Sequence, residues 1–247
     1  MSVGRSLVAV VTPPGYGTVG YWQVVGGRYR GRVRVRVVGW TAVLIECGTP
    51  ERVWAVLAQA RDRRARGELA ATEIVAGAAT VLLDGVPDPV ALAREVARWP
   101  AAGTGPRAAP QPAGVGDDGP ELTVPTRYDG PDLDLVARYW GTSAHGVARR
   151  HSGTRFRVAF CGFAPGFGYL TGLPADLAVP RLDQPRARVP AGSVALAGAY
   201  TGVYPSASPG GWLLIGRTDL ALFDPAADPP ARLRPGLAVR FVPVGPA

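Results

Sequence analysis

Arginine and valine alternate from Arg32 to Val37, which places charge on one face of an extended segment and aliphatic side chains on the other. The pattern predicts a half-buried strand, and Ala42 to Glu46 predicts a second. Thr49 followed by Pro50 reads as a helix start, because a hydroxyl can cap the first free N–H groups and proline is pre-set for the first turn. Val53, Trp54, Leu57 and Ala60 then share one helical face. Glu73 to Ala76 and Thr80 to Leu83 are short strands meeting near Gly77. Asp88-Pro89 starts a second helix with Leu92, Val96 and Trp99 at i, i+4 and i+7. The order ββαββα over residues 32–99 predicts a small α+β unit, a ferredoxin-like sandwich with two helices on one face of one sheet. Glu46, Asp62 and Glu73 fit solvated or ion-paired positions, and the segment carries no recognisable chemistry.

The pattern changes in the second half. Leu122 to Thr126 reads as a strand. Leu133, Val136, Ala137 and Trp140 make a helical face ended by Gly141, and Ser143 caps another helix running to about His151 and closed by Gly153. From Arg155 onward short apolar runs alternate with Gly/Pro turns. Val158–Cys161, Val194–Ala197, Trp212–Gly216, Ala221–Phe223 and Val239–Val242 are the strand candidates, and many short strands in one stretch favour a closed, mainly-β barrel over residues 122–247. Between the halves, fifteen of the 22 residues from 100 to 121 are Gly, Pro or Ala. A stretch of that composition reads as a linker. Residues 1–31 are glycine-rich and fit neither unit, and are expected to form an N-terminal extension or an over-extended start.

Composition narrows the class. The chain has 247 residues, 47% of them hydrophobic, which suits a globular protein. No apolar run reaches the ~18 residues of a membrane helix, and Leu7 to Val11 is too short for a signal-peptide core. A cytoplasmic protein with no membrane association is expected. Cys47 and Cys161 are the only cysteines and give no metal framework. The net charge of +8 hints at nucleic acid, but every basic residue is arginine, spread along the chain, and lysine and asparagine are both absent. That bias fits genome composition better than a binding patch. The two short helices with Arg149-Arg150 mimic a helix-turn-helix, but Gly146 weakens the second and it has no polar base-reading face. No nucleic-acid partner is expected.

Candidate chemistry concentrates in three blocks. In Phe160 to Leu170 three glycines, a proline and four aromatics occur in eleven residues. Glycine lets backbone approach a ligand or chain closely, and aromatics supply stiff apolar walls. Gly162, Phe163, Pro165, Gly166, Phe167 and Tyr169 are therefore candidate lining residues. A later block contributes Tyr200, Thr201, Tyr204, Ser208, Gly210, Gly211 and Trp212 on the same grounds, although some of these rings must simply be core. Between them Arg181, Arg186 and Arg188 flank prolines, with Pro190, Gly192 and Ser193 following. Arginine grips carboxylate or phosphate bidentately, and the alternative for each is a surface salt bridge. Ser193, Thr201, Ser206 and Ser208 offer hydroxyls for an oxyanion. His151 ends its helix just before the first aromatic block, where the helix dipole alone favours it but where it also fits a ligand-facing base. No nucleophile elbow, phosphate loop or metal-ligand spacing occurs, and no metal or organic cofactor is expected. The pattern describes a pocket without a complete set of catalytic groups.

The three blocks carry the motifs GFxPGFxYL (from Gly162), PRxxxPRxRVPAGSV (from Pro180) and TGxYPxxSPGGWxxIGRT (from Thr201). On these motifs the chain resembles the family that holds allophanate hydrolase subunit 1, the B component of 5-oxoprolinase (PxpB) and the sporulation kinase inhibitor KipI. The resemblance covers roughly residues 122 to 243. It implies a cyclophilin-like barrel and a half-site, in which a ring-lined hollow of the barrel is completed by a companion chain. The implied activity is ATP-dependent opening of 5-oxoproline to L-glutamate, with ATP as co-substrate of a complex. The implied partners are a C component (an allophanate hydrolase subunit 2 homologue) and a lactamase-like A component. The histidine of Arg150-His151-Ser152 matches the family's histidine, which implies proton transfer there. The same resemblance leaves open inhibition of a histidine kinase, or half of an allophanate- or urea-processing enzyme. Relatives usually show Gly-Gln-Thr-Gly where this chain has Ala199-Tyr200-Thr201-Gly202, which makes Tyr200 the departure that bears on substrate.

Overall fold

A computed structural model describes residues 33–99 and 120–245. The expected extension over 1–31, and all of the expected 100–121 linker but its last two residues, lie outside the described residues. Strands β1 (Arg34–Val38) and β2 (Ala42–Glu46), helix α1 (Pro50–Ala65), strands β3 (Glu73–Ala76) and β4 (Thr80–Asp84), and helix α2 (Pro89–Val96) follow the ββαββα order. They form an antiparallel sheet in the order β1-β2-β4-β3. Register puts Val35 opposite Ile45, Ile45 opposite Val81 and Val43 opposite Leu83, so one sheet face is an apolar row. Val53, Leu57, Leu92 and Val96 from the two helices pack onto that row in one core. The caps are those the sequence implies: Thr49 accepts from the Arg52 N–H at 3.4 Å and Asp88 from the Ala91 N–H at 2.9 Å. Glu46 is ion-paired to Arg34 and Arg36 at 3.3 and 2.8 Å.

The second half contains β5 (Glu121–Thr126), helices α3 (Leu133–Tyr139) and α4 (Ala144–Ser152), then β6 (Phe156–Cys161), β7 (Gly168–Thr171), β8 (Arg186–Val189), β9 (Ser193–Ala197), β10 (Tyr200–Val203), β11 (Ser208–Gly210), β12 (Leu213–Arg217) and β13 (Ala238–Pro243). Seven strands make one curved sheet, β12-β9-β10-β7-β6-β13-β5, and β8 with β11 makes a separate two-stranded ribbon. Beyond β5, Arg127 exchanges backbone hydrogen bonds with Arg217 at the end of β12, at 2.9 and 2.8 Å, so the two sheet edges meet and the sheet nearly closes into a barrel.

Three expectations change. Ala221–Phe223 is not a strand: Phe223 makes a single bridge to Ala231. Conversely β7, β10 and β11 form within the glycine-rich blocks, because glycine lowers strand propensity without preventing ladder pairing once neighbouring strands are in place, and β8 forms in the arginine- and proline-rich block between them. The hollow expected inside the barrel is also filled. Phe156, Val158, Leu170, Val194, Leu196, Val203, Leu213, Ile215 and Phe241 occupy it, with Val136, Trp140 and Val147 of the helices joining the same core. Period-two alternation sends the intervening residues Ala195, Ala197, Tyr204 and Leu214 to the outer face, where a third core forms.

Barrel closure depends on two glycines without side chains. A Cβ on Gly130 would collide with the backbone of Leu214 to Gly216, and one on Gly216 with the Arg127 carbonyl. Gly216→Ala is therefore expected to lower stability by about 2 kcal/mol through forced separation of the edges. Gly162→Ala, whose Cβ would meet nothing within 4 Å, should leave stability unchanged. Urea unfolding of the two variants checks the contrast.

Candidate functional site

Outside the barrel wall, strands β7, β9 and β10, with Trp212 just before β12, form the floor of a cavity of about 310 Å³, near the lower end of the range for small-molecule sites. Small residues set its depth. Ala197 and Gly198 lie at the β9–β10 turn, and a Cβ on Gly202 would press against Phe167 Cζ and Trp212 Cζ3. Those two rings meet edge-to-face at 5.5 Å and 87°, and Tyr169 packs against both, at 5.0 Å from Phe167 and 5.5 Å from Trp212. Tyr204 stands at 5.4 Å from Phe167, and Tyr200 at 5.9 Å from Tyr169. Edge-to-face packing lets each ring brace the next while leaving a concave surface. Behind Tyr169, Phe160 stacks at 4.3 Å and also packs against the core of the four-stranded layer.

The rim carries Pro209, Gly210, Phe163 and Arg181. Phe163 is 53% exposed and adopts φ 73°, a left-handed conformation that costs a bulky residue of the order of 1 kcal/mol. Its ring meets Phe167 at 5.4 Å and Tyr204 at 6.1 Å, both edge-to-face. Arg181 is exposed and makes no ion pair with any described residue. Burial raises the pKa of all three tyrosines above the ordinary phenol value, opposed for Tyr169 and Tyr204 by the Arg181 charge. They stay protonated near neutrality. The Trp212 backbone N–H also opposes the rise at Tyr204, and the hydroxyls of Tyr169 and Tyr200 bond to no described residue.

Eight of the expected site residues meet in this cup: Phe163, Phe167, Tyr169, Arg181, Tyr200, Tyr204, Gly210 and Trp212. The others do not line it. Arg186 is held by Asp132 at 2.7 Å and donates to the Trp212 carbonyl at 3.4 Å, so it braces the wall instead of facing a ligand. Arg188 and Pro190 are exposed on the outside of the ribbon. Gly166 and Gly192 are places of close chain approach, to Phe223 and to the Thr218 carbonyl. Gly162 and Pro165 sit in the exposed turn that carries Phe163, and Gly211 accepts from the Leu182 N–H at 2.7 Å. Ser193 donates to the Pro190 carbonyl at 2.8 Å and Ser208 to that of Ser206 at 3.5 Å, which uses both hydroxyls locally.

His151 and Thr201 require the clearest correction. His151 is fully buried inside the barrel, packed by Phe156 and Phe241 at 4.9 and 4.5 Å, with the wall between it and the cup. Both ring nitrogens are engaged, Nδ1 with the Tyr128 hydroxyl at 2.8 Å and Nε2 with Thr201 Oγ1 at 2.9 Å. Thr201 donates to the Ala195 carbonyl at 3.1 Å, so it accepts from Nε2–H, and Nδ1 takes the Tyr128 proton. Burial lowers the imidazole pKa to about 3. His151 is a neutral polar brace across the barrel, not a ligand-facing base.

Sequence reasoning missed Asp132 and Tyr128. Asp132 precedes α3 and looks like a helix cap, but it makes no cap bond. It accepts instead from the Leu214 N–H and from Arg186, each at 2.7 Å. Nothing local in Gly130-Pro131-Asp132 announces partners more than fifty residues away. Among the described residues no cluster of three or more His, Cys, Asp or Glu is placed to hold a metal, and no helix is long and apolar enough to cross a membrane.

Residues 33–233 match the family described as carboxyltransferase domain, subdomain C and D, and the chain belongs to that family. It is 59% identical over 97 residues to the 5-oxoprolinase B component of Escherichia coli O157:H7, a match spanning 39% of this chain and 44% of that protein. Against the 5-oxoprolinase B component of Bacillus subtilis (strain 168) it is 52% identical over 92 residues, 37% of this chain and 38% of the relative. The matches thus span less than half the length of these curated relatives. The crystal structure of TTHA0988 superposes with a TM-score of 0.65 at 32% identity, covering 87% of this chain and 41% of that one.

Proposed function

We propose that the chain is the B component of an ATP-dependent 5-oxoprolinase and contributes half of a shared site for opening 5-oxoproline to L-glutamate. The α+β unit is read as ferredoxin-like and the barrel unit as cyclophilin-like, working in the cytoplasm with a C component and a lactamase-like A component. The observation that carries the reading is the composition of the cup. Six aromatic rings and one cation line it, with no carboxylate, histidine, serine or cysteine among the lining residues. Such a wall holds and dries a small polar ring but supplies no nucleophile or general base of its own.

A lactam is a poor electrophile. Transfer of the γ-phosphoryl group of ATP to its oxygen, releasing ADP, makes that oxygen a leaving group. Water then adds at the carbonyl carbon and the ring C–N bond breaks with the proton going to the amine, leaving γ-glutamyl phosphate, from which a second water releases phosphate and glutamate. In this scheme the cup orients the ring and excludes stray water, while the groups that activate water and bind the nucleotide come from the companion chains. Mixing the purified chain with its C- and A-component homologues and ATP should convert 5-oxoproline to glutamate. Phe163→Ala should slow turnover about tenfold by opening the rim, on the usual cost of lost positioning, with the fold intact. Absence of glutamate from the complete mixture, when both companions assemble with the chain, would contradict the assignment.

A further inference from the structure

We propose that the cup selects a compact monoanionic carboxylate through Arg181, and that the nucleotide phosphates of the reaction bind outside it. This rests on the 5-oxoprolinase reading and goes beyond it, by naming the selecting residue and excluding one co-substrate from this surface. A bowl of aromatic faces on its own attracts cations. An unpaired guanidinium at its edge reverses that preference, repelling cations and offering a planar fork that matches a carboxylate.

Three arginines are candidates for anion binding, and their surroundings separate them. Arg186 already serves Asp132 at 2.7 Å. Arg188 is exposed and outside the lining. Arg181 remains, the single cation in the lining, without an acidic partner among the described residues. One guanidinium neutralises one carboxylate. A triphosphate brings several negative charges and meets no second cation in this cavity of about 310 Å³. The Tyr169 and Tyr200 hydroxyls are protonated donors without partners among the described residues, both in the lining. They suit a carbonyl oxygen on the far side of a small ring from its carboxylate, with the ring lying over Phe167 and Trp212.

The test uses the full chain and ligand-observed NMR with four probes: 5-oxoproline, its carboxamide, 2-pyrrolidinone and magnesium ATP. 5-Oxoproline is expected to bind about tenfold tighter than the carboxamide and the unsubstituted lactam, the usual weight of a charged hydrogen bond, and ATP should not displace it. Arg181→Gln, at an exposed position where folding is not at risk, should bring the carboxylate and the carboxamide to equal affinity. Tyr200→Phe should weaken both acid and amide by a similar factor and keep the preference. Equal binding of acid and amide by the unaltered chain, a preference that survives Arg181→Gln, displacement by ATP, or no binding of any probe would each overturn the proposal. A carboxylate preference alongside a reconstituted mixture that makes no glutamate would keep this selectivity and remove the reaction assignment. Glutamate formation without the preference would do the reverse.

Discussion

Replacing Asp132 by alanine is expected to lower stability by about 3 kcal/mol, the low end of the cost of breaking a buried ion pair, because Arg186 keeps some contact with water. The carboxylate is nearly buried and does two jobs at once. Oδ1 takes the Arg186 guanidinium and Oδ2 the buried Leu214 N–H, each at 2.7 Å. Alanine leaves the amide without a partner and a guanidinium against an apolar wall, and both penalties point the same way. The effect should reach the cup, since Arg186 also holds the Trp212 carbonyl and ties the β8–β11 ribbon to the barrel. Asp132 is thus a positioning residue. Asp132→Ala should weaken 5-oxoproline binding without removing the preference for carboxylate over carboxamide, whereas Arg181→Gln removes the preference and leaves stability alone. Urea unfolding together with the two affinities separates these outcomes. Unchanged stability in Asp132→Ala would show that the latch carries no load.

The second large effect appears on acidification. Burial holds the folded His151 imidazole near a pKa of about 3, against an ordinary value of 6.5. Below 6.5 the unfolded chain binds a proton at this position that the folded chain refuses, so stability rises with pH between the two values. The contribution is complete above about pH 6.5 and is lost progressively as pH falls toward 3, at up to about 1.4 kcal/mol per unit. At pH 4 the loss from this residue alone is about 3 kcal/mol by the same constant. Replacing the pair together, His151→Leu with Tyr128→Phe, removes the titrating group and its donor while Thr201 keeps its bond to the Ala195 carbonyl. The double variant should lack this component, so its stability relative to the unaltered chain improves as pH drops from 6.5 to 4. Parallel pH profiles would mean that His151 is charged or solvated in the folded state.

Local chemistry made much of the fold legible. The ββαββα order follows from alternation in Arg34–Val38 and from the caps at Thr49 and Asp88, where one side chain decides where a helix starts. The aromatic cup was legible too, because glycine beside aromatic residues marks surfaces that must be both close and apolar. What could not be read was which side of the wall the cup occupies. In β10, Tyr200 and Thr201 are neighbours on opposite faces, and only ladder pairing with β9 and β7 reveals that Thr201 points into the barrel toward His151 while Tyr200 points out. The same parity moved His151 from expected base to internal brace. The arginines were unreadable for a different reason: Arg181 and Arg186 lie five residues apart in similar proline-rich surroundings, and the carboxylate that claims one of them comes from before α3.

The central claim is that the outer face of the β7-β10-β9-β12 wall seats the substrate. Its most direct test is a crystal structure of the chain bound to its C-component homologue and soaked with 5-oxoproline. The predicted result is ligand density over Phe167 and Trp212, with the carboxylate on Arg181 and protein from the companion closing the mouth. Density for the ligand at another surface, with the aromatic cup empty and facing away from the companion, would contradict it.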